Sequence, residues 1–432
     1  MTADPSGDHP PVDPIILAHA HQAFASDDAA DLARLLEQHP ELKTRLNDPS
    51  GDFDSPPIVH VRSRAMLDVL LAAGADIDGR SQWWAGGFGL LDSAPPEVAK
   101  YALERGATLT VHAAARLALI DELRAFLADQ PSLVHLRGGD GQTALHFAAT
   151  IEVAEILLDA EADIDARDVD HESTPAQHML GSRTEIAQFL VRRGCHVDLL
   201  MSAALGDRPL AERLLQADPE CIRLRVSDEC FPMVGGRCGG TIYQWTLGWY
   251  VSAVQVAKRF GHHALAAWLE ERSPPEEKLL NACWLHDAET VLGLLAAQPD
   301  LATSLPASGR QHLAHAARNN DTEAARLMLQ AGLPVDGVSQ HRATPLHWAA
   351  WQGNAELVRL VLERRPDLEN RSNDYSGSPL DWALHGSENG WDRARGNYPE
   401  TVSLLLAAGA QRPAIISGSA AVQAVLHQHG AA

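Results

Sequence analysis

A short phrase recurs along this chain at a nearly constant spacing. Its fullest copy, Thr344–Ala350, reads Thr-Pro-Leu-His-Trp-Ala-Ala. Counting between equivalent alanines, Ala316 to Ala349 is 33 residues and Ala349 to Ala383 is 34. A fixed period near 33 predicts a solenoid, in which each unit buries its apolar face only against its neighbours. Weaker copies of the phrase occupy 143–149, 313–317 and 378–384.

A second phrase marks the outgoing helix of each unit. Its leucines stand at helical spacing and bury one stripe, and a glycine such as Gly74 then permits the left-handed turn that ends the helix. In other units a proline such as Pro219 ends the helix. These endings predict about a dozen helix-turn-helix units. Copies of the phrase occupy 66–78, 156–165, 189–198 and 404–410.

The endings also predict how the chain is divided. We expect a disordered tail at 1–13 and a cap at 413–432. Between them we expect N-terminal repeats at 14–226, of which the first three are degenerate, and C-terminal repeats at 274–412. The two expected interruptions are an extended insertion at 227–250, inside a repeat that spans 227–272, and a loop insertion at 386–398.

These motifs resemble the ankyrin repeat family over most of the chain. The resemblance is carried by T-P-L-H-x-A-A at 344–350 and A-G-A-D at 73–76. It implies an all-α, ankyrin-type solenoid with short β-turn fingers. The residues support the motif independently, since Thr344 can cap the inner helix and Pro345 suits its first position. His347 can then hydrogen-bond between neighbouring turns, so we expect it to hold the scaffold.

Composition narrows the classes of partner. The chain carries 57 acidic against 35 basic residues, a net charge of −22. Such a surface repels phosphate backbones and anionic membranes, so we expect neither nucleic acid nor membrane as a partner. Neutral or basic partners fit better, although the charge also serves solubility. Five cysteines without a C-x-x-C pair and the lack of a leader or membrane segment predict a cytoplasmic protein with reduced thiols.

The two insertions are candidates for function. The first is rich in glycine and aromatic residues, including Tyr243 and Trp245, and this composition argues against disorder. Long loops on rigid scaffolds commonly bind ligands. The second insertion contains Glu388 and Trp391. It is either an elaboration that caps the stack or a part of a binding site.

The residue directly after each pair of small residues forms a second candidate. The resemblance implies that this position and the finger tips contact ligands. In the last five units the position is occupied by Arg259, Trp284, Arg318, Trp351 and His385. A contact between an arginine and the face of a tryptophan stabilises a structure by roughly 0.5–2 kcal/mol. Tryptophan and arginine are also enriched in binding hot spots. The alternative is that these residues stack only to stiffen the solenoid. Finger tips add Asp170, His171, Glu172, His341, Asp374 and Tyr375.

Metal binding and catalysis have no signature in the sequence. Asp170, His171 and Glu172 are adjacent and cannot all point to one ion, so we expect no metal and no cofactor. G-x-S-x-G, P-loop and H-E-x-x-H motifs are missing from the sequence, and nothing in it identifies an enzyme.

Two functions remain. In the first, the chain is a monomeric scaffold that binds a protein or peptide in its concave groove. In the second, the chain is a binding protein or an enzyme for a small molecule or carbohydrate, with a pocket between the C-terminal concave face and the 227–250 insertion. The carboxylates available for acid–base chemistry in that second reading are Asp228, Glu229, Asp374 and Glu388.

Overall fold

A computed structural model describes residues 12–430, without the side chains of residues 307 and 308. These residues form helices and three isolated β-bridges. They divide into two compact units, of which the first contains 12–197 together with Phe231–Leu247 and the second contains Asp198–Cys230 together with the chain from Gly248. The predicted tail lies outside the described residues up to position 11, and Asp13 caps the first helix by accepting from the Ile15 N–H at 2.8 Å.

Ten α-helices precede residue 198 in the first unit. They are α1 (Pro14–Ala25), α2 (Ala29–Gln38), α3 (Arg64–Ala72), α4 (Leu90–Ser93), α5 (Pro96–Glu104), α6 (Val111–Leu117), α7 (Ile120–Asp129), α8 (Ile151–Asp159), α9 (Pro175–Met179) and α10 (Thr184–Arg192). Short 3₁₀ turns connect them at Pro40–Arg45, Asp52–Asp54, Pro57–His60, Pro131–His135, Gly139–Gly141 and Ala144–Phe147.

The remaining helices belong to the second unit, except for one turn of the insertion. They are α11 (Leu199–Leu205), α12 (Arg208–Ala217), α13 (Tyr243–Thr246, in the first unit), α14 (Ala253–Arg259), α15 (His263–Arg272), α16 (Pro275–Trp284), α17 (Ala288–Ala297), α18 (His312–Arg318), α19 (Thr322–Ala331), α20 (Pro345–Trp351), α21 (Ala355–Leu362), α22 (Pro379–Asn389), α23 (Tyr398–Ala407) and α24 (Ala420–Gln428). Three 3₁₀ turns accompany them at Pro219–Arg223, Ala307–Gln311 and Gln340–Arg342.

The capping chemistry of the repeated phrase is confirmed. Thr344 donates its N–H to Nδ1 of His347 at 3.3 Å, and its hydroxyl lies 2.7 Å from the same nitrogen. Nε2 of His347 then donates to the Asn370 carbonyl of the next finger at 3.0 Å. His146 repeats this arrangement in the first unit, with Nε2 3.2 Å from the Ser173 carbonyl. These histidines therefore join successive units, as predicted.

Helix pairs stack side by side within the second unit. The inner helices α18, α20 and α22 pack in a row, and the outer helices α19, α21 and α23 pack in a second row. Ala349 and Ala350 are fully buried between the helices. Side chains larger than a methyl group at these positions would push the inner helices apart. This close stacking fixes the distance between side chains that project from α20 and α22.

The fingers between units end in 3₁₀ turns. The central residue of the turn is Asp140 in one finger and His341 in another, with φ of 54° and 59°. This left-handed conformation turns the chain back toward the next inner helix. The side chains of Asp140 and His341 at the centres of these turns are partly buried.

Two predicted boundaries need correction. Residues 386–389 were expected in a loop but form the last turn of α22, because Gly386 allows this helix to lie against the backbone of Trp351. The 227–250 insertion is not one element, since Phe231–Leu247 packs in the first unit while Trp249 and Tyr250 pack in the second. The count of about twelve repeats and the cap at 413–432 stay predictions.

The described helices are short. The longest is α1 with 12 residues, whereas a membrane-spanning helix needs about 20. No helix within 12–430 is long and apolar enough to cross a bilayer.

Candidate functional site

The second unit contains a cavity of about 480 Å³ that is lined mainly by aromatic rings. Helix α20 supplies two of its tryptophans and α22 supplies a third, while the fourth follows α22 in the chain. The finger tips close one side. The lining residues are His341, Trp348, Trp351, Tyr375, Gly377, Asp381, Trp382, His385 and Trp391.

The four tryptophans of the cavity contact one another. Trp348 meets Trp382 edge to face with ring centroids 5.2 Å apart, and it lies 5.7 Å from Trp391. Trp351 meets Trp391 edge to face at 5.9 Å. Trp348 and Trp382 are buried, whereas Trp391 is 62% exposed. The cavity therefore has a rigid aromatic floor and one tryptophan at its rim.

The repeat itself positions this floor. Trp348 and Trp382 follow His347 and Asp381 in the phrases T-P-L-H-W and S-P-L-D-W, 34 residues apart, so they occupy the same place in successive inner helices. Trp351 lies one helical turn after Trp348 and shares its face. Because successive inner helices stack in register, three indole rings meet at one site.

Arg318 packs behind the cavity. Its guanidinium lies over three indole rings, 4.3 Å from Trp249, 5.4 Å from Trp391 and 5.7 Å from Trp348. Its Nε donates to Oε1 of Gln340 at 2.9 Å. Burial lowers the pKa of Arg318 to about 10, so that the group stays charged at neutral pH. The sequence predicted that Arg318 alternates with Trp284 and Trp351. The indole rings that its guanidinium contacts are instead those of Trp249, Trp348 and Trp391.

Trp284 lies inside the unit and not in a groove. It is only 7% exposed, and its Nε1 donates to Nδ1 of His312 at 3.0 Å. Tyr250, from the end of the insertion, covers this region because its ring stacks on His315 at 3.5 Å. Trp249 donates to the same histidine at 3.1 Å. Tertiary packing of the insertion thus buries one residue of the predicted column.

The rest of the column divides between the cavity and the surface. Trp351 and His385 line the cavity, with ring centroids 5.6 Å apart. Arg259 is exposed at the end of α14, where its Nη1 lies 3.2 Å from the position a Cβ on Gly248 would take. Of the five residues predicted in this column, Trp351 and His385 line the cavity and Arg318 lies behind it.

The C-terminal finger tips contribute as lining residues. His341 and Tyr375 face each other with ring centroids 5.1 Å apart, and Tyr375 is 65% exposed. Asp374 is absent from the lining, but its carboxylate lies 3.6 Å from Nδ1 of His341 and holds that ring at the rim. Glu388 is exposed on α22 and also lies outside the lining.

The acid–base reading finds little support in the cavity. None of the four carboxylates expected for chemistry lines it, and Asp381 is the carboxylate that does. Asp381 accepts from the Ser378 N–H at 2.9 Å and pairs with Arg371 at 2.7 Å. Its oxygen therefore caps α22 and neutralises an arginine. In addition, none of the lining residues comes from the 227–250 insertion.

Two indole N–H groups beside the cavity have no acceptor. Nε1 of Trp351 and Nε1 of Trp382 are both buried and make no hydrogen bond. A buried donor without a partner costs about 1–3 kcal/mol. Such a cost is common at sites where a ligand supplies the missing acceptor.

The first unit places the remaining predicted residues at another location. Asp170 accepts from the Gly239 N–H at 3.0 Å, and His171 donates from Nδ1 to the Gly240 carbonyl at 2.8 Å. Glu172 accepts from the N–H groups of Val234 and Gly235 at 2.9 and 2.7 Å. This acidic finger tip therefore holds the 231–247 part of the insertion.

The two aromatic residues named within the insertion differ in exposure. Tyr243 is fully buried and its ring meets Phe231 edge to face at 5.2 Å. Trp245 is 70% exposed. Tyr243 thus anchors the segment, and Trp245 stands on its surface.

Sequence reasoning missed Trp348, Trp382 and Asp381, which line the cavity. A signal was present, since the two tryptophans occupy equivalent positions of consecutive repeats. Trp249 and Tyr250 carried no such signal, because their partners lie about 60 to 70 residues away in the chain.

Comparisons with known proteins agree with this architecture. The family model for ankyrin repeats (3 copies) matches residues 279–374, and the model for a single ankyrin repeat matches 140–169. Similar proteins include E3 ubiquitin-protein ligase XB3 of Oryza sativa subsp. japonica, 34% identical over 21% of this chain and 21% of the relative.

Two further relatives show weaker identity. They are E3 ubiquitin-protein ligase KEG of Arabidopsis thaliana, 23% identical over 55% of this chain, and palmitoyltransferase Hip14 of Drosophila melanogaster, 27% identical over 29%. The chain covers 17% and 18% of their lengths, so it spans about a fifth of each relative it matches. Helices α18 to α21 lie inside the matched segment 279–374. Residues 140–169 and 279–374 therefore match ankyrin repeats.

Proposed function

We propose that the chain is a binding scaffold that captures a protein or peptide partner at the aromatic cavity of its second unit. The observation that carries this proposal is the combination of a buried tryptophan floor with the exposed rings of Trp391 and Tyr375. Ankyrin repeats are protein-interaction modules, and hot spots in protein interfaces are enriched in tryptophan and tyrosine.

The chemistry of the cavity indicates which side chains of a partner it would bind. The rings favour an apolar or aromatic anchor side chain. The net charge of −22 attracts segments with basic residues around that anchor. We therefore expect a short peptide segment with one large apolar residue and basic flanks.

The relatives contribute no enzymatic activity to the proposal. This chain spans about a fifth of each of them, and their names describe whole proteins. The described part of the cavity offers one carboxylate, and that carboxylate is already engaged in a helix cap. Binding without chemistry is the function that these contacts support.

A peptide-display selection tests the proposal. Peptides enriched on the immobilised full chain are synthesised, and their affinities are measured for the wild type and for Trp391→Ala. Because Trp391 forms the exposed rim, its removal is expected to weaken binding at least tenfold, about 1.4 kcal/mol. Trp245→Ala removes an equally exposed tryptophan elsewhere and should leave the affinity unchanged. Equal affinities of all three proteins would contradict the proposal.

A small flat ligand is the second candidate. Its support is the cavity volume of about 480 Å³, which lies within the roughly 300–1,000 Å³ of small-molecule sites. The same selection distinguishes the two, because a small-molecule site gives no enriched peptide. A library of aromatic and sugar ligands should then raise the melting temperature of the wild type but not of Trp391→Ala.

A further inference from the structure

The finger tips of the first unit bring together three groups that can ligate a metal. Asp140 lies at the tip of one finger, and Asp170 and His171 lie at the tip of the next, one repeat later. One ligand atom from each of these three residues lies within 4.8 Å of the other two. Oδ2 of Asp170 is 3.7 Å from Nε2 of His171. Ligands of a tetrahedral ion stand about 3.4 Å apart at metal–ligand distances of about 2.1 Å, so small movements suffice.

Hydrogen bonds orient two of these groups for ligation. Nδ1 of His171 donates to the Gly240 carbonyl, which leaves the lone pair on Nε2 free to face Asp170. Oδ1 of Asp170 accepts from the Gly239 N–H, which leaves Oδ2 toward His171. A backbone carbonyl that fixes the tautomer of a histidine is the usual outer contact of a metal-bound imidazole.

Further buried polar groups lie beside these three ligand groups. Oδ1 of Asp140 is buried and makes no hydrogen bond of normal geometry, while the Trp83 side chain interacts with this carboxylate. Nε2 of His178, on a side chain only 9% exposed, pairs with Oδ2 of Asp168 at 3.5 Å. The rings of His178 and His171 are 6.0 Å apart.

His146 belongs to the neighbouring group of ligand atoms but is not available. Its Nδ1 accepts from the Thr143 N–H at 3.1 Å and its Nε2 faces the Ser173 carbonyl at 3.2 Å, so both nitrogens serve the repeat. The pair of Asp168 and His178 is therefore left beside the first three groups. The carboxylates of Asp140, Asp168 and Asp170 therefore lie close together.

We propose that Asp140, Asp170 and His171 bind a divalent transition-metal cation of the Zn²⁺ or Mn²⁺ class, with Asp168 and His178 as an adjacent pair. Mixed imidazole and carboxylate ligands suit these ions. Three protein ligands leave at least one coordination position for water or a further ligand. The cation neutralises the carboxylates and ties two finger tips to the 231–247 segment through Gly239 and Gly240. This proposal does not depend on the aromatic cavity.

This proposal departs from the expectation, drawn from the sequence, that the chain binds no metal. Asp170, His171 and Glu172 indeed do not converge, because Glu172 binds the N–H groups of Val234 and Gly235 instead. The third ligand comes from the preceding finger as Asp140. Glycine at position 239 makes the approach possible, since a Cβ there would lie 3.2 Å from Oδ1 of Asp170.

Metal titration of the full chain tests the proposal. Chelator-treated protein is titrated with Zn²⁺ and with Mn²⁺ in a calorimeter, and bound metal is counted after equilibrium dialysis. We expect one ion per chain at micromolar or tighter affinity, and a visible absorption band when Co²⁺ replaces it. Asp140→Asn keeps a residue that tolerates the left-handed turn, and it should weaken binding at least tenfold.

The controls separate this site from adventitious binding to other histidines. His171→Gln serves as a second variant and should also lose the ion and the Co²⁺ band. His341→Gln is the matched control, because His341 is another finger-tip histidine beside an aspartate, at 3.6 Å. It should bind as the wild type does. The proposal is overturned if the wild type binds no ion, or if the two site variants and the control bind it equally well.

Discussion

Gly386→Ala separates helix propensity from helix packing in the second unit. Alanine in place of a helical glycine stabilises a helix by about 1 kcal/mol. In α22, however, a Cβ at position 386 would lie 2.4 Å from the carbonyl oxygen of Trp351 and 3.1 Å from its Cα. Backbone atoms cannot rotate away, so α22 must move from α20. Overpacking costs about 1–3 kcal/mol, and after subtraction of the propensity gain we expect a net loss of up to about 2 kcal/mol.

Gly293→Ala is the matched control. Gly293 is also a helical glycine, in α17, but nothing lies within 4 Å of its Cβ position. This variant should gain about 0.5–1 kcal/mol, so the two substitutions are expected to have opposite signs. Calorimetry gives the change in melting temperature. Hydrogen exchange over 379–389 and 288–297 then assigns each change to its helix, which matters because a repeat array need not unfold in one step. Equal stabilisation by both alanines would refute the packing argument.

Two further predictions concern buried charges. Arg225 is almost fully buried and lies 3.0 Å from Glu277, so Glu277→Gln removes its counter-ion and should lower the free energy of unfolding by about 3 kcal/mol in urea denaturation. Glu276 is more exposed, and Glu276→Gln should lower it by less than about 1 kcal/mol. Similar losses for the two variants would contradict the argument. Burial, with Arg225 and other nearby positive charges, lowers the pKa values of His312 and His315 well below 6.5. Their contribution to stability is therefore present above about pH 6.5, and it is lost below that pH by up to about 1.4 kcal/mol per pH unit for each histidine. NMR of the folded chain should show that neither imidazole titrates between pH 7.5 and 5.5. Titration of either imidazole near pH 6.5 would contradict this prediction.

Local chemistry explains what the sequence could predict. The hydrogen bonds of Thr344 and His347 lie within one phrase and its next copy, so the period of 33 to 34 residues is enough to place them. The helices that end at Ala217, before Pro219, and at Ala407, before Gly409, follow steric rules that act within a few residues. For the same reason, Trp351 and His385 could be placed on one face in advance.

Tertiary packing explains what the sequence could not predict. Trp284 stands in the same repeat position as Trp351 but is buried, because Tyr250 from the insertion covers the region beside it. The insertion could be recognised by its composition, yet its division between two units depends on distant contacts. The candidate metal site was foreseeable in part, since Asp140 and Asp170 lie about one repeat apart, but only the structure shows which of the finger-tip side chains converge.

Fluorine NMR tests binding at the aromatic cavity most directly. The chain has ten tryptophans, which are replaced by 5-fluorotryptophan and assigned by single substitutions. Titration with a peptide from the display selection should shift the resonances of Trp348, Trp351, Trp382 and Trp391, with the largest change at Trp391. The resonance of Trp245 should stay in place. If a bound peptide moves Trp245 and leaves the four cavity tryptophans unchanged, the cavity is not the binding site.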